Sequence, residues 1–352
     1  MYQPRFEAAD IFPPGCASRP ESAVVTSGRT PMASPCLIVG GHGVIGSALS
    51  AALSDSGMDV WITSRPGHPA GSFRSVPLDL SDPGDFRLPI TPGSAFLCAA
   101  RSLFLDCDRD ADAARRVNVT GNMAVAGMLL QQGAFVVFLS SSAVFDGAAR
   151  LPGETSPRSA ATEYGRQKAD AEERLLQLDN GNGRVAIVRL TKVQSSRADM
   201  ARTFMARLTR GASVEAFGDL HLSPVSLAYV VHALRVIERS RIGGIFHLSG
   251  SAELSYAEFA RRLADTLRVS EDLVRETAVD DSSSPVLYRP RHPALGMPVT
   301  TKTLGLHPEP LNVMLANLLA DASSGPELAD RRGGRLRPGD RVSASHCRRA
   351  LL

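Results

Sequence analysis

A short apolar run, a glycine-rich turn and a helical stretch follow one another near the start of the chain, and few folds use this order. The run begins at Cys36, and the turn VGGHGVIG places Gly40, Gly43 and Gly46 three residues apart. Glycine permits a tight backbone turn, and Gly57 closes the stretch SALSAALSDSG as a C-terminal glycine closes a helix. We therefore predict a strand, a tight turn and a helix.

Strand-like and helix-like segments then alternate as far as Thr191. The pattern predicts helices at 110–130 and 161–178 and further strands at 59–63, 76–78, 94–99, 134–140 and 185–190. This alternation is typical of the α/β class with a doubly wound parallel (Rossmann) sheet. Because ligands bind at the carboxyl ends of the strands in such sheets, functional residues are expected there.

The pattern changes after residue 192 and predicts a smaller lobe. It contains helix-like runs at 198–210, 226–239 and 255–268 and a strand at 245–248. The Pro-rich interval 280–298 is expected to form a loop that touches a ligand or a partner.

We divide the chain into four parts on this basis. They are a leader at 1–34, a dinucleotide-binding domain at 35–192, a substrate-binding lobe at 193–320 with a segment returning to the main sheet, and a basic tail at 321–352. The leader and the tail are predicted to be disordered. An alternative for the leader is that translation begins at Met32, which the intact mass of protein made from the native gene would show.

Composition excludes several classes of protein. Of the 352 residues, 43% are apolar and 21% are charged, which is ordinary for a soluble globular protein. The net charge of +3 is small and much of the basic excess lies in the tail, so no nucleic-acid groove is expected. No apolar stretch reaches the about 20 residues of a membrane helix, and no secretory signal is seen. We expect a soluble, cytoplasmic protein.

The cysteines indicate neither a metal site nor a disulfide framework. Their number is odd and their spacing contains no Cys-x-x-Cys pair. This scatter suits a reducing cytoplasm, and no metal is predicted. The five residues are Cys16, Cys36, Cys98, Cys107 and Cys347.

The glycine turn predicts a dinucleotide site, because its backbone can approach a pyrophosphate that the helix N-terminus then stabilises. An acidic residue usually ends the second strand of an NAD site. Here Ser64 and Arg65 stand at that position, and a guanidinium suits a 2′-phosphate, so NADPH is favoured over NADH. Asp79 after the third strand is placed either to accept from the adenine amine or to cap a helix.

A Tyr and a Lys four residues apart, Tyr164 and Lys168 in YGRQK, would share one helix face. The ammonium is expected to lower the pKa of the phenol, so that Tyr164 could exchange a proton with a carbonyl or alcohol oxygen. Ser141 in SSSAVFDG would hold the same oxygen. An isolated Tyr-x-x-x-Lys is usually an exposed helix turn, but here it follows a glycine turn and a Ser-rich strand end in order.

In this order GGHGVIG, DLSD, SSSAVFDG and YGRQK resemble the extended short-chain dehydrogenase/reductases, and most of all the dTDP-4-dehydrorhamnose reductase group. The likeness covers about residues 36–320. Further pointers are VFDG, Asp106, RLTKV at 189–193 and RPRHPAL at 289–295. The resemblance implies a nucleotide-sugar cleft between two lobes and reduction of a 4-keto deoxy sugar by NADPH.

Carried onto matching positions, the resemblance makes Ser141 the residue that orients the keto oxygen, Tyr164 the proton donor, and Lys168 the residue that tunes Tyr164 and binds the nicotinamide ribose. Asn118 is expected either to brace the backbone or to relay a proton. The cofactor contacts implied are Gly40, Gly43, Val44, Ile45, Gly46, Ser64, Arg65, Asp79, Leu80, Ala99, Ala100, Asn118, Tyr164 and Lys168. The substrate contacts implied are Arg101, Ser142, His221, Ser223, Arg289 and His292.

Departures from the group's pattern leave the substrate and the activity open. Ser142 and Ala143 replace an acidic and an aromatic residue, and His292 and Pro293 replace an Asn-Ser pair. A 4,6-dehydratase is not expected, because Ser142 and Ala143 supply neither its acid nor its base. A nucleotide-sugar 4-epimerase with tightly bound NAD and a nucleotide-binding regulatory subunit without turnover stay as alternative functions. Formation of a homodimer also stays open.

Overall fold

The computed structural model describes residues 34–67, 71–281 and 286–323. The predictions for the leader as far as residue 33, for the start at Met32 and for the tail from residue 324 lie outside these residues.

The strands are β1 Cys36–Val39, β2 Val60–Ser64, β3 Arg74–Pro77, β4 Ser94–Leu97, β5 Phe135–Ser141, β6 Val185–Leu190, β7 Lys192–Gln194, β8 Val214–Phe217, β9 His221–Leu222, β10 Pro224–Ser226, β11 Gly244–Leu248, β12 Leu254–Ser255 and β13 Val274–Thr277. The centre of the fold is a seven-stranded parallel sheet in the order β3-β2-β1-β4-β5-β6-β11. The short strands form three pairs among the described residues, β10 with β7, β12 with β9 and β13 with β8.

Helices flank this sheet and cover the remaining strands. The α-helices are α1 Val44–Asp55, α2 Phe104–Arg109, α3 Ala111–Arg115, α4 Asn122–Gln131, α5 Glu163–Asp179, α6 Asp199–Leu208, α7 Leu227–Ser240, α8 Tyr256–Thr266, α9 Pro298–Leu304 and α10 Leu311–Ser323. A π-helical turn, Arg116–Gly121, joins α3 to α4, and single 3₁₀ turns lie at Ser142–Val144, Glu271–Leu273 and Val279–Asp281.

The central strands are apolar along their length because helices cover both faces of the sheet. Leu37 and Val39 of β1 belong to one apolar layer, whereas Ile38 belongs to the other. Every residue of β1 and of β6 is buried, including Arg189. The predicted doubly wound α/β fold is therefore confirmed.

Most predicted elements of the first half lie within three residues of their predicted bounds. The predicted helix 110–130 is interrupted by the π-helical turn, which carries Asn118. The predicted strand 245–248 corresponds to β11, which pairs with β6 at the edge of the main sheet. Sequence patterns did not show α2, α9, α10 or the short strands β7 to β10, β12 and β13.

A second apolar cluster lies in the later part of the chain. It joins α6, α8 and α10 to β8 and β13 through Phe204, Phe259 and Met314, among others. Helix α7 instead packs with the main sheet, because Leu234 and Ile237 belong to the layer that contains β1 and α1. In the part of the chain that the structure describes, no helix has the length and apolar character needed to cross a membrane.

Candidate active site

The glycine turn after β1 forms a close backbone crossing. Gly40 has φ +87°, and a Cβ atom added at Gly46 would lie 2.3 Å from the Gly40 carbonyl oxygen. Thr63 of β2 accepts the Gly40 amide at 3.1 Å. Helix α1 begins after Gly43, which has no side chain to cap it, so its first amides are available to an anion. The turn therefore fits a pyrophosphate.

Ser64 and Arg65 lie at the carboxyl end of β2, where Ser64 is buried and Arg65 is exposed. The Asp79 carboxylate accepts the Ser81 hydroxyl at 2.6 Å and the Ser81 amide at 2.8 Å. These bonds lower the pKa of Asp79, and the nearby Arg65 charge adds to the shift. The expected helix cap was wrong, because no helix directly follows Asp79 and its carboxylate closes a turn instead. The contact with the adenine amine stays a prediction.

Tyr164, Lys168 and Ser141 meet where β5 ends. Helix α5 starts after Thr162, whose hydroxyl accepts the Gly165 amide at 3.1 Å, and Tyr164 and Lys168 follow on its buried face. The Lys168 ammonium donates to the Leu139 carbonyl at 2.7 Å and lies 5.9 Å from the centre of the Tyr164 ring. The Ser141 hydroxyl, at the end of β5, accepts the Ala143 amide at 3.2 Å.

The ionisation of Tyr164 differs from the sequence-based expectation. Burial raises the pKa of Tyr164 above its ordinary value, and Cys107 adds to the rise. Burial also lowers the pKa of Lys168 to about 8, against the opposing charge of Glu172. The expectation of a lowered Tyr164 pKa was wrong because desolvation by burial dominates the shift. Tyr164 therefore keeps its proton at neutral pH.

Asn118 braces the backbone, which was one of its two expected roles. Its Oδ1 accepts the Arg101 amide at 2.7 Å, and its Nδ2 donates to the Arg101 carbonyl at 2.9 Å. The same Nδ2 donates to Gln167 Oε1 at 2.8 Å. Asn118 thus ties the segment after β4 to helix α5, which carries Tyr164 and Lys168.

A cavity of about 460 Å³ lies beside Ser141 and Tyr164. Three of the predicted substrate residues, Ser142, His221 and Ser223, line it. The others, Arg101, Arg289 and His292, are outside the set of described residues that line it.

Those three predicted contacts have other partners. The Arg101 backbone is held by Asn118, Arg289 pairs with Asp280 at 2.8 Å, and His292 contacts Glu253 at 3.3 Å. The segment RPRHPAL does reach the cavity, but through Pro290 and Pro293 and not through Arg289 or His292. Tyr288, the residue before this segment, also lines the cavity.

Sequence reasoning missed an aromatic pair that covers Tyr164. The Phe104 ring meets the Tyr164 ring edge-on at 5.4 Å, and Tyr288 stacks on Phe104 at 5.5 Å. The Tyr288 hydroxyl donates to the Phe145 carbonyl at 3.2 Å. No local motif marks Phe104, although Tyr288 directly precedes the RPRHPAL segment.

Two more functional candidates lie inside motifs that sequence reasoning quoted. A Cβ atom added at Gly165 of YGRQK would lie 2.1 Å from the Ala143 carbonyl oxygen, so glycine lets α5 approach the loop after Ser141. Lys192 of RLTKV lines the cavity, where its side chain is exposed. Of the described residues around the cavity, Lys192 is the single lysine or arginine, and no Asp or Glu is among them.

One protein-family model matches most of the chain. The model described as the RmlD substrate binding domain matches residues 34–324. The chain belongs to this family. The match covers both the glycine turn and the Tyr164–Lys168 helix, and it confirms the resemblance to the dTDP-4-dehydrorhamnose reductase group of the extended short-chain dehydrogenase/reductases.

Known proteins that resemble the chain in sequence have two kinds of name. A dTDP-4-keto-6-deoxy-D-glucose reductase of Streptomyces niveus is 26% identical over 265 residues, which is 74% of this chain and 88% of the relative. The methionine adenosyltransferase 2 subunit beta of Xenopus laevis is 24% identical over 269 residues, 74% of this chain and 79% of the relative.

Solved structures show the same fold. The dTDP-4-dehydrorhamnose reductase of Bacillus anthracis, solved in complex with NADP, has a TM-score of 0.70 and 19% identity, and the match covers 82% of this chain and 100% of that one. At this identity the likeness shows the fold and not the substrate. The RmlD-family assignment thus leaves the reaction to be argued from the site.

Proposed function

We propose that this chain is an NADPH-dependent reductase of a 4-keto deoxy nucleotide sugar. The observation that carries the proposal is the convergence of Ser141, Tyr164 and Lys168 beside a cavity, on the sheet edge that also carries the glycine turn. A protein that only binds a nucleotide has no need of a buried, protonated phenol next to a buried lysine.

The chain's own groups would complete the reduction. Bound nicotinamide would supply a hydride to the carbonyl carbon. The Ser141 hydroxyl orients the carbonyl oxygen by donating a hydrogen bond, and the Tyr164 hydroxyl gives that oxygen its proton, so that the product is an alcohol. The Lys168 cation stabilises the phenolate that is left. Burial keeps Tyr164 protonated, which is the form that the reduction requires.

Arg65 supports NADPH as the cofactor. Its guanidinium is exposed at the end of β2, where a carboxylate would repel a 2′-phosphate and a guanidinium attracts one. Ser64 stands beside it. The other proposed cofactor contacts lie mainly in the glycine turn and at the carboxyl ends of the strands.

Lys192 supports an acidic substrate. It supplies a cation to a cavity that is otherwise lined by apolar, hydroxyl and amide groups in the described residues, apart from His221. A nucleotide sugar has a diphosphate, which such an ammonium would attract. We propose Lys192 as the diphosphate contact in place of the predicted Arg101, Arg289 and His292.

Loss of NADPH absorbance with a 4-keto-6-deoxy nucleotide sugar tests the proposal. We expect one NADPH consumed per sugar by the wild-type protein and a rate about 10²- to 10⁴-fold lower for Tyr164→Phe, because the proton donor is gone. Substrate turned over with no net NADPH loss would contradict the reductase and favour an epimerase with bound NAD.

A second candidate is a regulatory subunit without turnover, and it is kept because one relative, which matches over 74% of this chain, is named as an enzyme's subunit beta and not as a reductase. The same experiment separates the two candidates. A subunit of this kind would bind NADPH in a direct titration, and no keto sugar would make wild-type protein oxidise it faster than Tyr164→Phe does.

A further inference from the structure

A buried carboxylate lies one helical turn beyond Lys168. Glu172 has no exposed surface, and its Oε1 accepts the Ser140 hydroxyl at 2.5 Å. The Arg189 guanidinium donates to Glu172 Oε2 at 2.6 Å and to Oε1 at 3.0 Å. A buried charge is tolerated only when it is paired and hydrogen-bonded, and Glu172 is both.

This carboxylate joins the elements that carry the three proposed catalytic groups. Glu172 and Lys168 are four residues apart on α5 and so share a face. Ser140 directly precedes Ser141 on β5, and Arg189 lies on β6, the neighbouring strand. A shift of Glu172 would therefore move α5 relative to the end of β5.

The same network reaches the segment that lines the cavity. Arg189 Nη1 donates to His247 Nε2 at 3.3 Å, and His247 Nδ1 donates to the Gly296 carbonyl at 2.7 Å. Burial lowers the pKa of His247 to about 4, so its ring is neutral at pH 7 and can accept from Arg189. The backbone amide of His247 also donates to Thr300 Oγ1 at 2.8 Å.

We propose that Glu172 is a positioning residue that fixes Ser141 on its strand and Lys168 on its helix in one arrangement, acting through Ser140 and Arg189. The expected effect on kcat rests on the proposed function, whereas the expected effect on the Lys168 titration does not. Its electrostatic support is that Glu172 raises the pKa of Lys168 while burial lowers it.

The groups that face the Lys168 and Glu172 side chains come from several elements. Cys98 after β4 and Cys107 of α2 act on Lys168 together with Glu172. Arg158 approaches Glu172 at 3.6 Å in addition to Arg189. Glu172 is thus the one carboxylate among the described groups that act on the charge of Lys168.

The first test is the titration of Lys168 in Glu172→Gln, followed by NMR in protein with ¹³C-labelled lysine side chains. The chain contains only three lysines, so the signals can be assigned with Lys192→Met and Lys302→Met. We expect the Lys168 midpoint to fall by about one pH unit. Glu173→Gln, at the next position but with an exposed carboxylate, is the matched control and should leave the midpoint unchanged. An unchanged midpoint in folded Glu172→Gln would overturn the proposal.

The second test is kinetic and uses Ser140→Ala, which removes one hydrogen bond and leaves the Glu172–Arg189 pair in place. We expect kcat for the keto sugar to fall about tenfold to a hundredfold while the Kd for NADPH stays the same, as one lost hydrogen bond to a charged group implies. An unchanged kcat would overturn the proposal, even if Glu172→Gln did not fold.

The two proposals fail in different ways. If wild-type protein turned over no keto sugar, the proposed function would fail, and the Lys168 titration would still decide the role of Glu172. If wild-type protein turned over the keto sugar, and either turnover were normal in Ser140→Ala or the Lys168 midpoint did not depend on Glu172, the positioning role alone would fail.

Discussion

Burial shifts the pKa values of Tyr164 and Lys168 in opposite directions. Tyr164 and Lys168 are 8% and 2% exposed, so each is driven toward its neutral form. For Tyr164 this means a retained proton, and for Lys168 it means a cation that is lost more easily than that of an ordinary lysine. A reductase needs the proton on the phenol and the charge on the ammonium together, which limits the working pH from above.

The pH dependence of turnover should report Lys168. A lysine is charged below its pKa, and that of Lys168 is lowered to about 8, so its charge is present at neutral pH and disappears as the pH rises through this value. We expect kcat/KM for the keto sugar to fall about tenfold for each pH unit well above the pKa. Lys302→Met should give the same profile as wild type, and a rate that stays level far above pH 8 would count against the role of Lys168.

Arg65 should decide the choice of cofactor. Arg65→Ala removes the cation proposed to contact the 2′-phosphate, and we expect the Kd for NADPH to rise about tenfold to hundredfold while that for NADH changes little. Fluorescence titration of both cofactors measures the effect. Arg74→Ala, which removes another exposed arginine near β2, is the control. Equal changes for the two cofactors would be inconsistent with a 2′-phosphate contact.

At the scale of elements, the site depends on how closely helix α5 approaches the end of β5. Gly165 makes this approach, because a side chain there would meet the Ala143 carbonyl. The Asn118 brace and the Glu172 network then hold the helix from two other directions. The distance between the Ser141 and Tyr164 side chains is thus set by packing around them as well as by their own contacts.

Gly165→Ala should separate α5 from the loop after Ser141. We expect the free energy of unfolding to fall by about 1–3 kcal/mol and turnover to be lost in the protein that still folds. Thermal unfolding and NADPH oxidation measure the two effects. Gly127→Ala in α4 is a matched control, since its added Cβ would have Leu178 at 3.9 Å as its nearest neighbour and should stabilise the protein by up to about 1 kcal/mol. Equal stability and activity in the two variants would argue against the close approach.

Local patterns were sufficient to predict the parts of the site that lie in one segment. The glycine turn, the buried strands and the Tyr164–Lys168 face each follow from spacing within a few residues. Contacts between distant segments were not predictable, such as Tyr288 over Phe104 or Lys192 at the cavity. The short strands β7, β9, β10 and β12 have two or three residues each, too few for a periodic pattern to appear.

The direction of the Tyr164 pKa shift was predicted wrongly for a related reason. Sequence spacing places the Lys168 charge near the phenol, but it does not reveal how deeply both are buried. Part of this burial comes from Phe104, which contacts the Tyr164 ring, and from Tyr288, which stacks on Phe104; both come from elsewhere in the chain. Desolvation is therefore a property of the folded protein rather than of the motif.

For the whole molecule, cofactor binding should raise the free energy of unfolding. The glycine turn, the end of β2 and helix α5 all contribute proposed contacts, so a ligand that binds only the folded state would stabilise them together. At about a hundred times its Kd, NADPH should add about 2.7 kcal/mol to the free energy of unfolding. Gly46→Ala, whose Cβ would meet the Gly40 carbonyl, should remove this gain. Denaturant unfolding with and without NADPH measures it, and no gain in wild-type protein would speak against a dinucleotide site.

The fate of the hydride tests the central claim most directly. Wild-type protein is given NADPH with deuterium at both nicotinamide C4 positions and a 4-keto-6-deoxy nucleotide sugar, and the product is examined by NMR and mass spectrometry. A reductase that uses Ser141, Tyr164 and Lys168 as described predicts one deuterium at sugar C4 for each NADP⁺ formed, and none with Tyr164→Phe in the same time. A product sugar without deuterium, or deuterium transfer that is equally fast in Tyr164→Phe, would contradict the account.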